Sequence, residues 1–216
     1  MPRKKIIPNS QNYYHITARC INREWFNIPM DDVWEITCNY LFFLSKAFHT
    51  EIYSYILMKN HFHALMRFPE NNMADAMEYF MRECSRCFGK KAGRINQIWG
   101  GPYYKSEITD ERYFLTAYKY LYRNAVAVGA VDRVEQYQYS TLKGLLGFKK
   151  LYVPLVEDFI LFEDPSDTLK WLNNDFEEEQ KKAIRNGLKR SQFAISNPNK
   201  QSELLIENLL RDFRAC

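Results

Sequence analysis

Apolar and polar positions change period several times along the first two thirds of this chain, and each change marks an element. Tyr13–Arg23 (YYHITARCINR) mixes β-branched and aromatic residues in partial alternation, the pattern of a half-buried strand. Pro29 punctuates, Asp31 and Asp32 supply an acidic helix start, and VWEITCNYLFFLSKAFH then repeats its apolar residues at helical spacing. Glu51–Phe68 (EIYSYILMKNHFHALMRF) is extended again, two strands joined near Met58–Asn60 and closed by Pro69. Asn71 and Asn72 stand where a cap would open a second helix, MADAMEYFMRECSRCFGKK, which runs out at Gly89–Gly93. Ile98–Thr109 predicts a short strand after the Gly100–Gly101–Pro102 turn. Asp110 is placed to cap ERYFLTAYKYLYRNAVA, ending near Gly129. Strand, helix, two strands, helix, strand, helix is the order of an α+β, ferredoxin-like fold: an antiparallel sheet with helices on one face and the other face open to a ligand. There is no internal repeat. The boundary falls in Gly147–Pro154, dividing residues 1–150 from a mainly helical extension, 151–216.

Composition narrows the class. With 216 residues, 46% of them hydrophobic, the chain can bury a core as one domain with an appendage or as two small domains. No run approaches eighteen apolar residues, and MPRKKIIPNSQNYYH lacks the apolar centre of a signal peptide, so a cytoplasmic protein without a membrane partner is expected. Five cysteines in such a length suit reduced thiols rather than a disulfide framework. Charge is uneven: residues 1–150 hold 21 Lys and Arg against 14 Asp and Glu, and residues 151–216 hold 9 against 12. Basic residues in the first part alternate with aromatics, in RECSRCFGKKAGR and WGGPYYKSEITDERYF. Single-stranded nucleic acid needs that combination, cations for phosphates and ring faces for bases; a solvated basic helix face beside core aromatics has the same composition. Lys90, Lys91, Arg94, Tyr103 and Lys105 are the expected nucleic-acid contacts, with ordinary strand packing the equal alternative for Tyr103 and Lys105.

Two constellations carry possible chemistry. On a strand, residues two apart share a face, so His61 and His63 can chelate one cation or simply stand as hydrogen-bonded histidines. On the helix ERYFLTAYKYLYRN, Tyr120 and Asn124 are four apart and share a face, with Tyr113 and Ala117 behind them. Asn124 can offer a carbonyl oxygen as a third ligand, and a phenol beside a divalent ion can attack a phosphodiester. Four tyrosines in ten residues, Tyr113, Tyr118, Tyr120 and Tyr122, equally describe a helix packed on a sheet. Cys84 and Cys87 form half of a zinc pattern without a second half, and fit two packed helix cysteines better.

YYHITARCINREWF, YILMKNHFHALMRFPE, WGGPYYKS and YKYLYRNAVAVGAV, in this order and spacing, resemble the single-tyrosine transposases of the HUH (histidine–hydrophobic–histidine) class, IS200-like, and within them the REP-associated tyrosine transposases. The resemblance spans roughly residues 12–145. It implies a ferredoxin-like nuclease palm in which His61, His63 and Asn124 bind Mg2+ or Mn2+ and Tyr120 is the nucleophile. It further implies a single-stranded DNA substrate folded as a hairpin, no small-molecule substrate, and a monomer or homodimer. The affinity order of such ligands would by itself favour zinc or copper. Lys59 and Ala125 stand where the family usually has proline, and neither position takes part in the chemistry. A non-catalytic or degenerate nucleic-acid binder of the same fold is the alternative; it leaves the coincidence of the histidine pair with Tyr120 and Asn124 unexplained.

Overall fold

The computed structural model describes residues 8–95, 97–156 and 164–195. Its centre is one four-stranded antiparallel sheet in the order β2-β3-β1-β4, built from β1 (Tyr13–Arg19), β2 (Glu51–Met58), β3 (His61–Arg67) and β4 (Tyr104–Ile108). Between them run α1 (Met30–Ala47) and α2 (Met73–Ala92), and after β4 comes α3 (Glu111–Ala127). A single turn α4 (Leu142–Leu145) and the helices α5 (Pro165–Asn173) and α6 (Glu178–Gly187) complete the described chain. This is the expected ferredoxin-like order. β1 is shorter than predicted: after Arg19 the chain makes an isolated bridge from Cys20 to Trp99 and turns through a 3-10 segment, Ile21–Arg23.

Side-chain alternation sorts the sheet into two packed faces. Ile16 and Ala18 of β1 and Phe62, Ala64 and Met66 of β3 meet α1 and α2 through Leu41, Leu44, Met77 and Phe80. The opposite face is not open. Ile56, Met58, Leu65 and Ile108 are covered by Phe114, Ala117, Tyr118, Leu121 and Tyr122 of α3, the apolar stripe that residues at i, i+3, i+4, i+7 and i+8 create on a helix. Trp171 and Leu172 of α5, Phe176, Ile184 of α6, Leu188 and Phe193 join the same cluster, so the C-terminal helices are packed on α3.

Caps explain where helices begin. Asp110 accepts a hydrogen bond from the Arg112 amide at 2.8 Å, as its sequence position predicts. Asn72 precedes α2 but does not cap it with its side chain; the amide instead donates to the Phe48 carbonyl at 2.8 Å, tying α2 to the end of α1. Gly93 ends α2 at φ 61°, a left-handed conformation that glycine adopts freely. Both sheet edges are covered by later chain: residues 139–141 and 155–156 bond along β2, and residues 191–193 along β4. Cys20, Cys38, Cys84 and Cys87 are free thiols. Cys84 is buried and Cys87 lies 3.3 Å from the Tyr40 hydroxyl, so this pair packs between α1 and α2; Cys216 lies outside the described residues. No described helix is long and apolar enough to cross a membrane.

Candidate active site

The strand register brings the chain's distant polar residues together. β1 and β3 pair Arg19 with His61, Thr17 with His63 and His15 with Leu65, and β1 and β4 pair Thr17 with Tyr104. Directly paired residues share a face, so His15, Thr17, Arg19, His61, His63 and Tyr104 all project toward α3. Where the apolar cover of α3 ends, they line a cavity of about 920 Å³. Tyr120 and Asn124 of α3 form its roof, Asn22, Arg23 and the Gly100–Gly101–Pro102 turn form one rim, and Asp175, Phe176, Lys181, Arg185, Leu188 and Lys189 of the C-terminal region form the other. Gly100 is needed at that rim: its amide donates to the Arg19 carbonyl at 2.8 Å, and a Cβ there would press on the Ile21 backbone at 3.3 Å.

His61 and His63 stand side by side with ring centroids 5.0 Å apart, and the Tyr120 ring lies 6.4 Å from that of His63. Asn60 fixes the His61 tautomer. Its amide nitrogen donates to the Arg23 carbonyl at 2.7 Å, so its oxygen, 2.8 Å from His61 Nδ1, must accept, and the proton sits on Nδ1. Nε2 of His61 is left with a lone pair. The same Asn60 bond holds Arg23 in a left-handed conformation, φ 59°, unusual for a side chain of that size. His63, 8% exposed, has its Nδ1 2.9 Å from Nε2 of His15. On α3 the amide nitrogen of Asn124 donates to the Tyr120 and Leu121 carbonyls at 2.9 and 3.1 Å, which leaves its oxygen as the end free for a ligand.

Burial keeps the imidazoles neutral. It lowers His15 and His61 to about 4, with Arg19 adding to the effect on His61, and holds His63 well below the usual histidine range, with its two neighbours and Arg19 adding to it. Neutral imidazoles are the form that binds metals. Among the described residues no three His, Cys, Asp or Glu side chains gather as a metal cluster. The uncharged groups at the cavity that could hold a cation are two imidazole nitrogens and one amide oxygen, a set that with water or phosphate oxygens would suit a hard divalent ion.

The four tyrosines of α3 separate cleanly. Tyr118 and Tyr122 are buried in the core, where Tyr122 bonds the Thr141 hydroxyl at 2.8 Å and burial raises its pKa. Tyr113 packs on Phe193. Tyr120 alone of the four lines the cavity. His61, His63, Tyr120 and Asn124 are thus brought together, whereas Lys90, Lys91, Arg94, Tyr103 and Lys105 do not line the cavity. Lys91 pairs with Asp32 at 2.7 Å and Arg94 with Glu24 at 3.0 Å, Tyr103 packs toward the α1–α2 layer, and Lys105 is lowered by partial burial.

Other cations line the cavity. Arg123 donates to the Leu172 and Asn173 carbonyls at the end of α5, at 3.1 and 2.8 Å, and pairs with Asp175 at 2.7 Å; Lys181 meets the same carboxylate at 2.9 Å. Arg19, Arg23, Arg185 and Lys189 also line the cavity and have no carboxylate partner among the described residues. Sequence reasoning missed His15 and Asn60, whose roles depend on strand register and on the β2–β3 turn, and it missed the Lys181, Arg185, Lys189 series, whose four-residue spacing was readable.

The family described as transposase IS200-like matches residues 9–124. A solved structure of a REP-associated tyrosine transposase bound to a REP hairpin superposes with a TM-score of 0.57 at 18% identity, covering 82% of this chain and 96% of that one, so the two share a fold. No curated protein matches.

Proposed function

The chain belongs to the IS200-like transposase family, and from that membership we propose that it is a metal-dependent single-strand DNA endonuclease and strand transferase acting on hairpin-forming DNA. The observation that carries this reading is the meeting of His61 and His63 from β3 with Tyr120 and Asn124 from α3 in one cavity. The transposase bound to a REP hairpin, which shares this fold, supports a hairpin substrate.

In the proposed reaction the Tyr120 hydroxyl oxygen attacks the scissile phosphorus and its proton passes to solvent in the open cavity. The bond from phosphorus to the 3′ oxygen breaks, and that oxygen leaves as a free 3′-OH after taking a proton from solvent. The 5′ phosphate stays on Tyr120 as a phosphodiester. Attack by another 3′-OH reverses the step, joins the strands and restores the phenol. His61 and His63 through Nε2, and Asn124 through its oxygen, would hold a Mg2+ or Mn2+ ion. When bound, such an ion neutralises charge on the scissile phosphate and polarises it. Because the three donors are neutral, a cation among them keeps its charge for the phosphodiester.

Residues 1–150 carry the chemistry in this reading, and 151–216 form a helical extension whose Lys181, Arg185 and Lys189 hold the DNA backbone with Arg19 and Arg23. Lys90, Lys91, Arg94, Tyr103 and Lys105 are left to a flank of the DNA path outside the cavity. Incubated with Mn2+ and a labelled single-stranded hairpin from its own genomic flanks, the protein is expected to become covalently joined to the 5′ side of the break. Tyr120→Phe should abolish the adduct and leave hairpin binding near wild type. His61→Ala should abolish metal-dependent cleavage, and Asn124→Ala should weaken it less, since water can replace an amide oxygen. An adduct that survives Tyr120→Phe, or a wild-type protein that binds hairpins tightly and never cuts, would refute the proposal.

A further inference from the structure

His15, 2% exposed, lies at the floor of the cavity, and its one hydrogen-bonded contact among the described residues is with His63: Nε2 to Nδ1 at 2.9 Å, rings stacked with centroids 5.1 Å apart. Its other nitrogen, Nδ1, is buried without a partner among the described residues, and so is the hydroxyl of Ser106, its cross-strand neighbour on β4. A buried polar atom without a partner destabilises a fold, so packing alone would be served better at position 15 by leucine. What the imidazole adds falls on His63.

The two site histidines differ in what fixes them. The tautomer of His61 is settled by the Asn60 oxygen, which can only accept. The partner of His63 is another imidazole, so the shared proton can sit on either ring. With the proton on His63 Nδ1 and donated to His15, the lone pair of His63 Nε2 is free for a ligand. With the proton on His15 Nε2, His63 must carry its own proton on Nε2 and cannot coordinate.

We infer that His15 is a positioning residue, whose Nε2 accepts the Nδ1–H of His63 and so holds that ring in the tautomer and orientation able to bind a cation. The inference rests on the reading of His63 as a metal ligand. The physics is that of outer partners of metal-bound histidines in general, where losing the partner lowers metal affinity by about 10- to 100-fold.

The test is Mn2+ affinity of the full-length protein without DNA, read by the electron paramagnetic resonance of free Mn2+, for wild type, His15→Leu and His15→Gln. Leucine fills the space and removes the acceptor, and is expected to lower affinity by about 10- to 100-fold with no loss of thermal stability at neutral pH. Glutamine places an oxygen near the position of Nε2 and is expected to restore affinity to near wild type, a rescue that a purely structural role would not produce. Long-range proton–nitrogen NMR of the Mg2+-loaded wild type supplies an independent readout and should show the His63 proton on Nδ1. Unchanged Mn2+ affinity in His15→Leu, or a proton on Nε2 of His63 in the loaded protein, would overturn this inference and leave the proposed chemistry standing. Absence of Mn2+ binding by the wild type would overturn both.

Discussion

Acid should unfold the metal-free protein well above the pH at which carboxylates titrate, because three imidazoles are buried side by side. His15 and His61 are lowered to about 4, chiefly by burial, and burial holds His63 well below the usual histidine range. In the unfolded chain each titrates near 6.5. Between these values the unfolded state binds more protons than the folded one, so stability falls as pH drops through 6.5 and levels off below 4. For one histidine shifted from 6.5 to about 4, the linkage relation gives a loss of about 2 kcal/mol between pH 7 and pH 5. His15 and His61 together then account for about 4 kcal/mol, with His63 adding in the same direction, against a total stability of about 5–15 kcal/mol for a domain.

Urea unfolding followed by circular dichroism at pH 7 and pH 5, in chelator, measures this directly. His15→Leu should shrink the difference between the two pH values by about 2 kcal/mol, since it deletes one of the titrating groups. Mn2+ at 100 times its dissociation constant should add about 2.7 kcal/mol at pH 7 and move the acid transition down, because cation and proton compete for the same lone pairs. Equal stability of the metal-free protein at pH 7 and pH 5 would refute the reasoning, as would an acid transition that His15→Leu leaves unchanged.

Salt dependence should separate the cations. Replacing Arg185 or Lys189 by Ala is expected to lower the slope of log affinity for hairpin DNA against log salt by about one each, and Lys90→Ala to change it less; equal effects would place the DNA outside the cavity. Trp171, 3% exposed in α5, lies within 5.3 Å of the Lys119 ammonium. Trp171→Ala should cost about 3–5 kcal/mol in chemical denaturation, and a loss under 1 kcal/mol would mean the C-terminal helices are not part of the α3 core.

Periodicity made the short-range half of the site legible. The two-residue repeat of a strand aligns His61 with His63, and the 3.6-residue repeat of a helix aligns Tyr120 with Asn124. The same repeat separates Tyr120 from Tyr118 and Tyr122, which lie four apart on the stripe with Phe114, Leu121 and Ala125 that meets the sheet. What crosses between elements was not legible. His15 reaches His63 only because β1 and β3 pair in one register, 48 residues apart. The densest cations, Lys90, Lys91 and Arg94, end a helix that packs on the sheet face opposite the histidines, and linear charge density carries no information about faces.

The net charge of the acidic extension does not say where its cations lie. Residues 151–216 hold more Asp and Glu than Lys and Arg, which by itself argues against contact with a polyanion. Yet Lys181 and Arg185 lie four apart on α6, so the helical turn gathers them on one side, and Lys189 in the turn just after the helix joins them at the cavity. Glu178 and Glu179 lead α6, where the positive end of the helix dipole favours them. The helix is held in this orientation by its apolar side, Ile184 against the α3 core, and by Asp175, which ties Lys181 to Arg123. Removing the extension would therefore do two things at once: strip three cations from the cavity rim and uncover part of the core cluster of α3, the helix that carries Tyr120. Cleavage lost on truncation cannot separate the two. Charge reversal at Arg185, which leaves Ile184 and Asp175 in place, can, because it alters the rim and spares the core.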